Sequence, residues 1–519
     1  MFLQMNAPLA IRDDVAQRQR AGTGVSNSRA SSVLIIALLA AITAAGAMLR
    51  FYILTAKSFW FDEGASVGIA RLDWYNFVRI LWRREANMAL YYVLLRGWLH
   101  FDSSEWFVRS LSAFLGVATI PAVYVLGRRM FGARAGLIAA ALLSVNAFHV
   151  RYSQEARSYS LTVLLCVLCS LYFLKFVETH SRRNRIAYIL LSSMAVYAHF
   201  FSGLVLLAHW ISLRFLDPRQ VPKQMKRTWV PIAIATFPIF AFVATTGAGP
   251  LSWVQRPGIR NLWQTALLMT GSRGPLLVLA FAAACVVGVY SESAAFKRKQ
   301  VDFQLWRYRF LLLWLFVPIG LVLIVSFARP LFVPRYFIVS LPALVLLAGS
   351  GLARIRRVWL LAPLMLVFAI TGLRGTQEYY RQRQTSPTDN WRAASQYVVN
   401  NAQPGDALVF YVSMGRVSYD YYRSLQGAAG PEVIYPNHGP RITFLDFVEK
   451  PDYAQLRSAI SQHPRVWFVV SHASLTSGRD RNESALAGAI GDMQALVDQR
   501  GFGGIQVLRY QAASKAFNH

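Results

Sequence analysis

The sequence predicts a polytopic α-helical membrane protein with a C-terminal extracytoplasmic α/β domain. The chain is 55% hydrophobic, and its mean hydropathy is +0.35. Its apolar runs are about 17 to 25 residues long, the length that a helix needs to cross a hydrocarbon layer of about 30 Å. After residue 373 these runs stop, and the composition becomes that of a soluble domain.

The net charge of +29 lies mainly in the membrane part. Residues 1–373 contain 39 basic and 13 acidic residues, a balance of +26, whereas residues 374–519 contain 15 and 12, a balance of +3. Basic residues on cytoplasmic loops set the orientation of a membrane protein. The excess charge therefore does not indicate a nucleic-acid partner.

The first 105 residues are predicted to contain one transmembrane helix and a long loop. Residues 1–30 are polar and form a cytoplasmic N-terminal tail in this prediction. The apolar run at about 32–54 resembles a signal peptide but is longer than a usual signal core, so it is the first predicted span. Residues 55–105 form an amphipathic loop whose apolar part is too short to span. This part is predicted to lie at the membrane interface.

Ten further apolar runs give a prediction of about eleven transmembrane helices in the domain 31–373. They lie near 107–127, 135–150, 158–177, 186–200, 202–216, 229–246, 274–290, 309–327, 336–352 and 357–373. This count places five basic clusters on cytoplasmic loops, as the positive-inside rule requires. The clusters are Arg128-Arg129, Arg182 to Arg185, Lys223 to Arg227, Lys297 to Lys299 and Arg354 to Arg357. We therefore expect a multi-pass protein of the plasma (inner) membrane.

The same count brings several distant polar motifs to the opposite face. They are the acidic pair of the first loop, Ser153 to Arg157, Tyr197 to His199, Trp253 to Arg256, Pro334 to Tyr336 and the C-terminal domain. Ionisable groups at membrane depth are costly and usually line a functional cavity. Their convergence on one face therefore predicts a site there.

Residues 374–519 are predicted to form the α/β domain. Asp389 can cap a helix that runs to about Asn401, and the turn at Pro404-Gly405-Asp406 leads into a strand. The predicted strands are 407–412, 432–435, 465–470 and 505–510, and a helix is predicted over 482–499. This alternation is typical of an α/β fold.

The stretch Phe59-Trp-Phe-Asp-Glu-Gly64 contains the first candidate residues, Asp62 and Glu63. An acidic pair can simply stabilise the N-terminus of a helix. Alternatively, Asp62 acts as a general base that takes the proton from an acceptor hydroxyl as this hydroxyl attacks.

Three basic residues on the same predicted face have two interpretations each. Arg157 either pairs with Glu155 at a helix end or binds a phosphate, for which a guanidinium is well suited. Arg335 is either an interfacial anchor or a second phosphate ligand. Arg256, with Trp253, forms either a lid over the substrate or part of the interface.

The remaining polar motifs favour structural roles. His199 is predicted to form hydrogen bonds within the helical bundle, with substrate contact as the alternative. The cysteines Cys166, Cys169 and Cys285 lie in apolar spans and are interpreted as core residues. No cluster has convincing metal-ligand spacing, so no cofactor is predicted, although assistance by a divalent cation stays open.

Several motifs in order along residues 30–375 resemble those of the GT-C membrane glycosyltransferases. They are the acidic pair after the first span, Asn87-Met-Ala-Leu-Tyr-Tyr92, Gly127-Arg-Arg-Met-Phe-Gly132, Ser153-Gln-Glu-Ala-Arg-Ser-Tyr-Ser160 and Arg335-Tyr336. The pattern is most similar to the protein O-mannosyltransferases and the aminoarabinose transferase of lipid A. One departure is Asn87 to Leu90, where many relatives carry His-Pro-Pro-Leu, so the donor and acceptor preferences of those relatives do not carry over.

The resemblance implies an inverting transfer of a sugar from a polyprenyl-phosphate donor to a glycan, lipid or protein acceptor at the outer face, among membrane lipids. Asp62 matches the catalytic aspartate, Glu63 its partner, and Arg335 the arginine expected near the lipid phosphate; Glu155 and Arg157 match a further motif. The predicted substrate-binding residues are Glu85, Asn87, Tyr91, Glu155, Arg157, Tyr159, His199, Arg256, Arg335 and Tyr336.

Two other classes of function remain open at the level of sequence. A transporter or lipid-linked sugar flippase would carry ionisable residues near the middle of the bilayer, but here the charges lie at the predicted span ends. A membrane-anchored binding or scaffold protein would use residues 374–519 as its active module.

Overall fold

The computed structural model describes residues 32–246, 254, 256–295, 302–385, 389–412, 415–427, 429–436, 451–471 and 481–512. The predicted cytoplasmic tail 1–30, Trp253 and the basic cluster Lys297 to Lys299 lie outside these residues.

The described residues contain seven helices that are long and apolar enough to cross a membrane, or nine if each of two bent pairs is one span. The seven are α1 (Ser32–Phe51), α5 (Glu105–Phe131), α8 (Tyr159–Thr179), α11 (Met225–Thr246), α14 (Asp302–Ala328), the 3-10 segment Pro334–Ser340 with α15 (Leu341–Leu352), and α16 (Val358–Thr385). The bent pairs are α6 (Ala133–Ser144) with α7 (Ala147–Ser153), at 62°, and α12 (Ile259–Thr270) with α13 (Pro275–Ala295), at 75°.

The predicted count of eleven spans is not confirmed, although the class of multi-pass helical membrane protein is. The difference comes from two helices. Helix α9 (Arg182–Ala198) begins with basic residues that shorten its apolar part, and α10 (Ser202–Ser212) reaches only Phe215 with its last 3-10 turn. A span needs about 20 mainly apolar residues, so neither helix is long enough on its own.

The first loop is helical and does not contain a span. It consists of α2 (Phe61–Arg71), α3 (Trp74–Ile80), a π-helical turn (Leu81–Glu85), a 3-10 turn (Ala86–Met88) and α4 (Ala89–Trp98). Its exposed aromatic side chains Trp74, Tyr75 and Trp82 are of the type found at membrane interfaces. The ten residues of α4 are consistent with the predicted interfacial helix.

The C-terminal domain contains a five-stranded mixed sheet of order β2-β1-β3-β5-β4. Strand β1 pairs in parallel with β2 and β3, while β5 pairs antiparallel with β3 and β4. The strands are β1 (Ala407–Phe410), β2 (Glu432–Tyr435), β3 (Arg465–Ser471), β4 (Ala495–Phe502) and β5 (Ile505–Gln511). The helices are α17 (Trp391–Asn401), α18 (Gly415–Gln426), α19 (Tyr453–Ser461) and α20 (Arg481–Gly491).

Two local predictions in this domain are wrong. The helix predicted over 482–499 ends at Gly491, because the chain turns there into β4, which forms a hairpin with β5. The hairpin turn uses Gly503 and Gly504, both with positive φ, as tight hairpins require. The cap of α17 is Asn390 rather than Asp389, because the Asn390 side chain accepts the hydrogen bond from the Ala393 amide.

One apolar core joins the first loop to the C-terminal domain. Buried residues of α2 and α4, such as Ile69 and Leu95, belong to the same cluster as Trp391, Val417 and Tyr422. The two parts of the protein are therefore packed against each other through a continuous apolar interface.

Candidate active site at the first loop

Asp62 lies in the first turn of α2, where a carboxylate interacts favourably with the helix dipole. Its side chain is partly exposed, and Oδ2 lies 3.7 Å from Nη2 of Arg157, whose side chain is 13% exposed. Arg157 follows α7, nearly a hundred residues later in the chain. The structure thus brings together the acid and one of the three arginines that the sequence singled out.

Glu63 points in a different direction and is 1% exposed. Arg109 of α5 donates from Nε to Oε1 at 2.8 Å and from Nη2 to Oε2 at 2.7 Å, and the Ala156 amide donates to Oε1 at 2.9 Å. Burial tends to raise the pKa of Glu63, but the charge and hydrogen bonds of Arg109 hold this pKa below its ordinary value. Glu63 is therefore held inside the fold by Arg109 and does not face Arg157 together with Asp62.

Arg109 also fixes the chain between α1 and α2. It donates to the carbonyl oxygens of Leu54 at 2.6 Å, Lys57 at 2.8 Å and Ser58 at 3.1 Å. Sequence reasoning did not single out Arg109. Its signal was an arginine among the apolar residues of a predicted span, a position that is costly unless the charge is paired.

The guanidinium of Arg157 is surrounded by polar groups of the first loop. Its Nη1 lies 3.3 Å from Ser66 Oγ and 3.4 Å from both the Asp62 carbonyl oxygen and the Tyr92 hydroxyl. The Tyr92 hydroxyl in turn donates to Glu85 Oε2 at 2.9 Å. Burial raises the pKa of Glu85, and Arg157 and Tyr92 oppose this effect.

The neighbouring tyrosines have different environments from those expected. Tyr91, which the sequence singled out, is fully buried and shares a hydrogen bond of 2.9 Å with Ser112 Oγ. Tyr92, which it did not, contacts Glu85 and Arg157. Asn87 lies beside them in the 3-10 turn, and its Oδ1 is buried without a hydrogen-bond partner among the described residues.

Arg335 reaches the same region from the 3-10 segment before α15. Its guanidinium carbon lies 5.8 Å from the centre of the Trp60 ring and 5.6 Å from that of Tyr336. Its charge also interacts with Asp62. Since Trp60 is the N-cap residue of α2, Arg335 lies near the start of the helix that carries Asp62.

A cluster of aromatic rings packs beside Arg335. The Tyr336 and His199 ring centres are 5.2 Å apart, and the Tyr159 ring lies 6.3 Å from His199 and 4.7 Å from Tyr152. His199 is 4% exposed, and its Nδ1 accepts a hydrogen bond of 3.3 Å from the Phe201 amide. This contact matches the expectation that His199 bonds within the bundle.

Glu155 pairs with Arg151, and Arg256 lies at the surface. The carboxylate of Glu155 is mostly buried and lies 3.6 Å from Arg151 Nε, so the pairing of Glu155 with Arg157 is not observed. Burial raises the pKa of Glu155, and Arg151 opposes this shift. Arg256 is exposed in the segment before α12, and its role stays a prediction.

An apolar cavity of about 460 Å³ lies between the first loop, α9 and α11. Ala86, adjacent to Glu85 in the chain, and Tyr197, two residues before His199, line it together with α11 residues such as Phe242. Across the described ranges, no three His, Cys, Asp or Glu side chains are grouped as a metal ion would require.

The described residues form a helical membrane bundle with an acid-bearing first loop and a C-terminal sheet domain, and this fold is similar to the GT-C fold. Residues 88–245 match the family model described as dolichyl-phosphate-mannose-protein mannosyltransferase. The fold is similar to that of ArnT from Cupriavidus metallidurans, in its complex with undecaprenyl phosphate, with a TM-score of 0.59 and 14% identity over 92% of this chain and 98% of that one. The apo form of ArnT gives 0.59 and 15% over 93% and 98%.

A weaker likeness links the chain to the archaeal oligosaccharyltransferase AglB from Archaeoglobus fulgidus. The TM-score is 0.48 and the identity 11%, over 93% of this chain and 75% of that one. A comparison with curated protein sequences gives no match. The family match and the ArnT-like fold confirm the resemblance to the GT-C membrane glycosyltransferases.

Proposed function

We propose that the protein is an inverting glycosyltransferase that moves a sugar from a polyprenyl-phosphate donor to an acceptor hydroxyl at the outer face of the plasma membrane. The observation that carries this proposal is the grouping of one partly exposed carboxylate, Asp62, with the guanidinium group of Arg157 at 3.7 Å and with that of Arg335, which lies beside Trp60 at the start of the same helix. A base and two cations suit a reaction that removes a proton from the acceptor hydroxyl and releases polyprenyl phosphate, an anion, from the donor.

In this reaction Asp62 accepts the proton of the acceptor hydroxyl as the oxygen attacks the anomeric carbon. The new carbon–oxygen bond forms on the face opposite the phosphate, and the bond between the sugar and the phosphate oxygen breaks with its electron pair on the leaving group. Arg157 and Arg335 stabilise that anion. Loss of one preorganised donor typically raises such a barrier by about 3 to 4 kcal/mol. A phosphate monoester is a stable anion, so no general acid is needed.

Two observations support a lipid-linked donor. The apolar cavity lined by Ala86, Tyr197 and Phe242 offers a surface for an isoprenoid chain, and Ala86 directly follows Glu85 in the chain. The matched family is described by its dolichyl-phosphate-mannose donor, and ArnT was crystallised with undecaprenyl phosphate. The donor sugar and the acceptor are not part of this proposal.

We further propose that the reaction needs no divalent cation. Glu63, the carboxylate next to Asp62, is occupied by Arg109 and the Ala156 amide, and Asp62 itself faces Arg157. The carboxylates of Asp62 and Glu63 therefore face different partners and do not converge on a position where they could bind one divalent cation together. Transfer measured with excess EDTA should equal transfer with added Mg²⁺ or Mn²⁺; an EDTA-sensitive rate restored by Mn²⁺ would contradict this.

The test of the proposed function is Asp62→Asn in the purified full-length protein. The amide keeps the shape of the side chain but cannot accept the proton, so binding of undecaprenyl phosphate should persist while turnover with polyprenyl-phosphate sugars falls by about 100-fold or more, about 3 kcal/mol of barrier. The matched control is Asp73→Asn, because Asp73 caps α3 in the same loop and asparagine also caps helices. Near-normal turnover in Asp62→Asn would remove the base from the mechanism.

A further inference from the structure

The C-terminal domain contacts the helix that carries Asp62 at Gly64, where a side chain would meet Ser418. Helix α18 packs on α2, and a Cβ atom built on Gly64 would lie 2.3 Å from Ser418 Oγ and 3.3 Å from Ser418 Cβ. Gly64 is two residues from Asp62, and Ser418 is 1% exposed. The distance between the two helices is therefore set by the absence of a side chain at Gly64.

Hydrogen bonds from the same domain hold the chain that leads into α2. The Phe59 amide donates to the Tyr422 hydroxyl at 2.6 Å, and Ser58 Oγ donates to the Asp389 carbonyl oxygen at 2.9 Å. The Phe59 ring also packs on Tyr421, with ring centres 4.8 Å apart. The start of α2 is thus fixed by residues that lie more than three hundred positions later.

A line of charged side chains connects the C-terminal domain to Glu63. Arg392 of α17 donates from Nε to Glu105 Oε1 at 3.0 Å, and Glu105 Oε2 lies 3.7 Å from Nη1 of Arg109, which binds Glu63. Arg392 also donates from Nη2 to the Thr55 carbonyl oxygen at 2.8 Å. The side chains of Glu105, Arg109 and Glu63 are nearly inaccessible to solvent.

We propose that the C-terminal domain is a positioning element of the transfer site, and that the close approach of α18 to Gly64 and the hydrogen bond between Phe59 and Tyr422 set the location of Asp62 relative to Arg157 and Arg335. This inference rests on the proposed function. A general base must lie within hydrogen-bond reach of the proton that it takes, and a misplacement of about 1 Å can reduce the rate about 100-fold. A contact that shifts α2 therefore changes turnover more than it changes donor binding.

The first experiment is Gly64→Ala in the full-length protein. The added methyl group meets the Ser418 hydroxyl at 2.3 Å and, after this hydroxyl has rotated aside, still lies 3.3 Å from Ser418 Cβ, so α2 and α18 must separate slightly. We expect kcat to fall by about 10-fold, with the Kd for undecaprenyl phosphate and the thermal midpoint close to those of the wild type. Gly97→Ala is the matched control, because Gly97 lies in the same loop and a methyl group added there would have no atom within 4 Å. It should leave kcat unchanged.

The second experiment tests for rescue. Ser418→Ala removes the hydroxyl that the new methyl group would meet, and this hydroxyl has no hydrogen-bond partner among the described residues. Ser418→Ala alone should be nearly silent, and Gly64→Ala with Ser418→Ala should regain part of the lost kcat. Relief of the clash also restores stability, so the thermal midpoints are compared: recovery of kcat with equal midpoints indicates positioning, and recovery of both indicates stability alone.

If Gly64→Ala is not recovered as a folded protein, Tyr422→Phe tests whether the C-terminal domain positions α2. It removes only the hydroxyl that binds the Phe59 amide and should reduce kcat several-fold with little change in donor KM. Tyr397→Phe, which breaks a hydrogen bond to Asp498 within the C-terminal domain, is its control and should match the wild type.

The outcomes separate this inference from the proposed function. Wild-type kcat in both Gly64→Ala and Tyr422→Phe, or a loss in Gly64→Ala that Ser418→Ala does not relieve, overturns the positioning role while wild-type transfer stands. If the wild type transfers no sugar from any polyprenyl-phosphate donor, the proposed function fails first, and the positioning role fails with it.

Discussion

Asp62 and Glu63 are neighbours in the sequence with different environments. Asp62 lies in the first turn of α2 and faces Arg157, whereas Glu63 faces inward to Arg109. Adjacent residues of a helix point about 100° apart, so an acidic pair at a helix start cannot direct both carboxylates at one target. The sequence suggests a shared task, but the geometry gives each residue its own partner.

The buried pair of Glu63 and Arg109 leads to a stability prediction. Arg109→Met leaves a buried carboxylate without its partner, and breaking such a pair typically costs about 3 to 5 kcal/mol. Thermal unfolding of the purified protein should show this loss. The double variant with Glu63→Gln should be more stable than Arg109→Met alone, because it removes the unpaired charge. Arg129→Met, which breaks the less buried contact with Glu178, is the control. Equal stability of the single and double variants would contradict the prediction.

Glu85 leads to a prediction about pH. Its pKa is raised by burial in the folded protein, so its contribution to stability is fully present below its unfolded pKa and is lost as the pH rises through the folded value. Glu85→Gln removes this dependence. The melting temperature of the variant minus that of the wild type should therefore increase as the pH rises from about 4 to neutrality. Glu432→Gln, at an exposed carboxylate of β2, is the control. A difference that is constant with pH would show that Glu85 does not titrate in this way.

At the scale of elements, α5 and α6 pack closely because both have glycine at their contact. A Cβ on Gly136 would lie 2.6 Å from the Tyr124 carbonyl oxygen, and one on Gly127 would lie 2.9 Å from Gly136 Cα. Small residues allow membrane helices to approach in this way. This contact supports the bent pair of α6 and α7, from which the chain continues to Glu155 and Arg157.

Gly136→Ala should therefore separate α5 from α6, because the atoms in its way belong to the backbone and cannot rotate aside. Overpacking of this kind typically costs about 1 to 3 kcal/mol, visible as a lower melting temperature in detergent. Gly320→Ala in α14 meets no atom within 4 Å and should be neutral or slightly stabilising. If the two alanine variants melt at the same temperature, close packing at Gly136 is not important.

The elements of the C-terminal domain differ in how well their sequences predict them. Strands β1 and β3 consist of buried apolar residues, and both were predicted within one or two residues. Strand β4 is mostly exposed, with Leu496 and Val497 both accessible, so it lacks the alternation that identifies a strand. Its identity depends on pairing with β5 across the Gly503-Gly504 turn. The prediction of a helix there was wrong because local helix propensity contains no information about pairing with a distant strand.

At the scale of the whole molecule, the proposed function requires the C-terminal domain and the basic loops to lie on opposite sides of the membrane. Cysteine at Leu496, which is 48% exposed in β4, should react with a membrane-impermeant maleimide in intact cells. Cysteine at Arg183, exposed at the start of α9, should react only after permeabilisation. Both variants are made in a background that lacks the three native cysteines. Labelling of both sites in intact cells, or of Arg183→Cys alone, would contradict the proposed orientation.

The sequence alone determined the class of the protein. Apolar runs of spanning length, the asymmetric distribution of basic residues and the compositional change near residue 373 are properties of composition and local pattern, so they can be read without tertiary contacts. The same local signals identified Asp62, Arg157 and Arg335 as candidates. They did not establish the number of spans, because a run of apolar residues does not reveal how long α9 and α10 are as helices.

Only the tertiary structure decided which of these residues meet. Arg109 clamps Glu63 and the chain after α1, Tyr92 rather than Tyr91 reaches Arg157, and α18 packs against Gly64. Each of these contacts joins residues that are far apart in the chain or that differ only in the direction in which a helix presents them. Such contacts depend on how separate elements are packed together, and that packing follows from the sum of many weak interactions rather than from any local pattern.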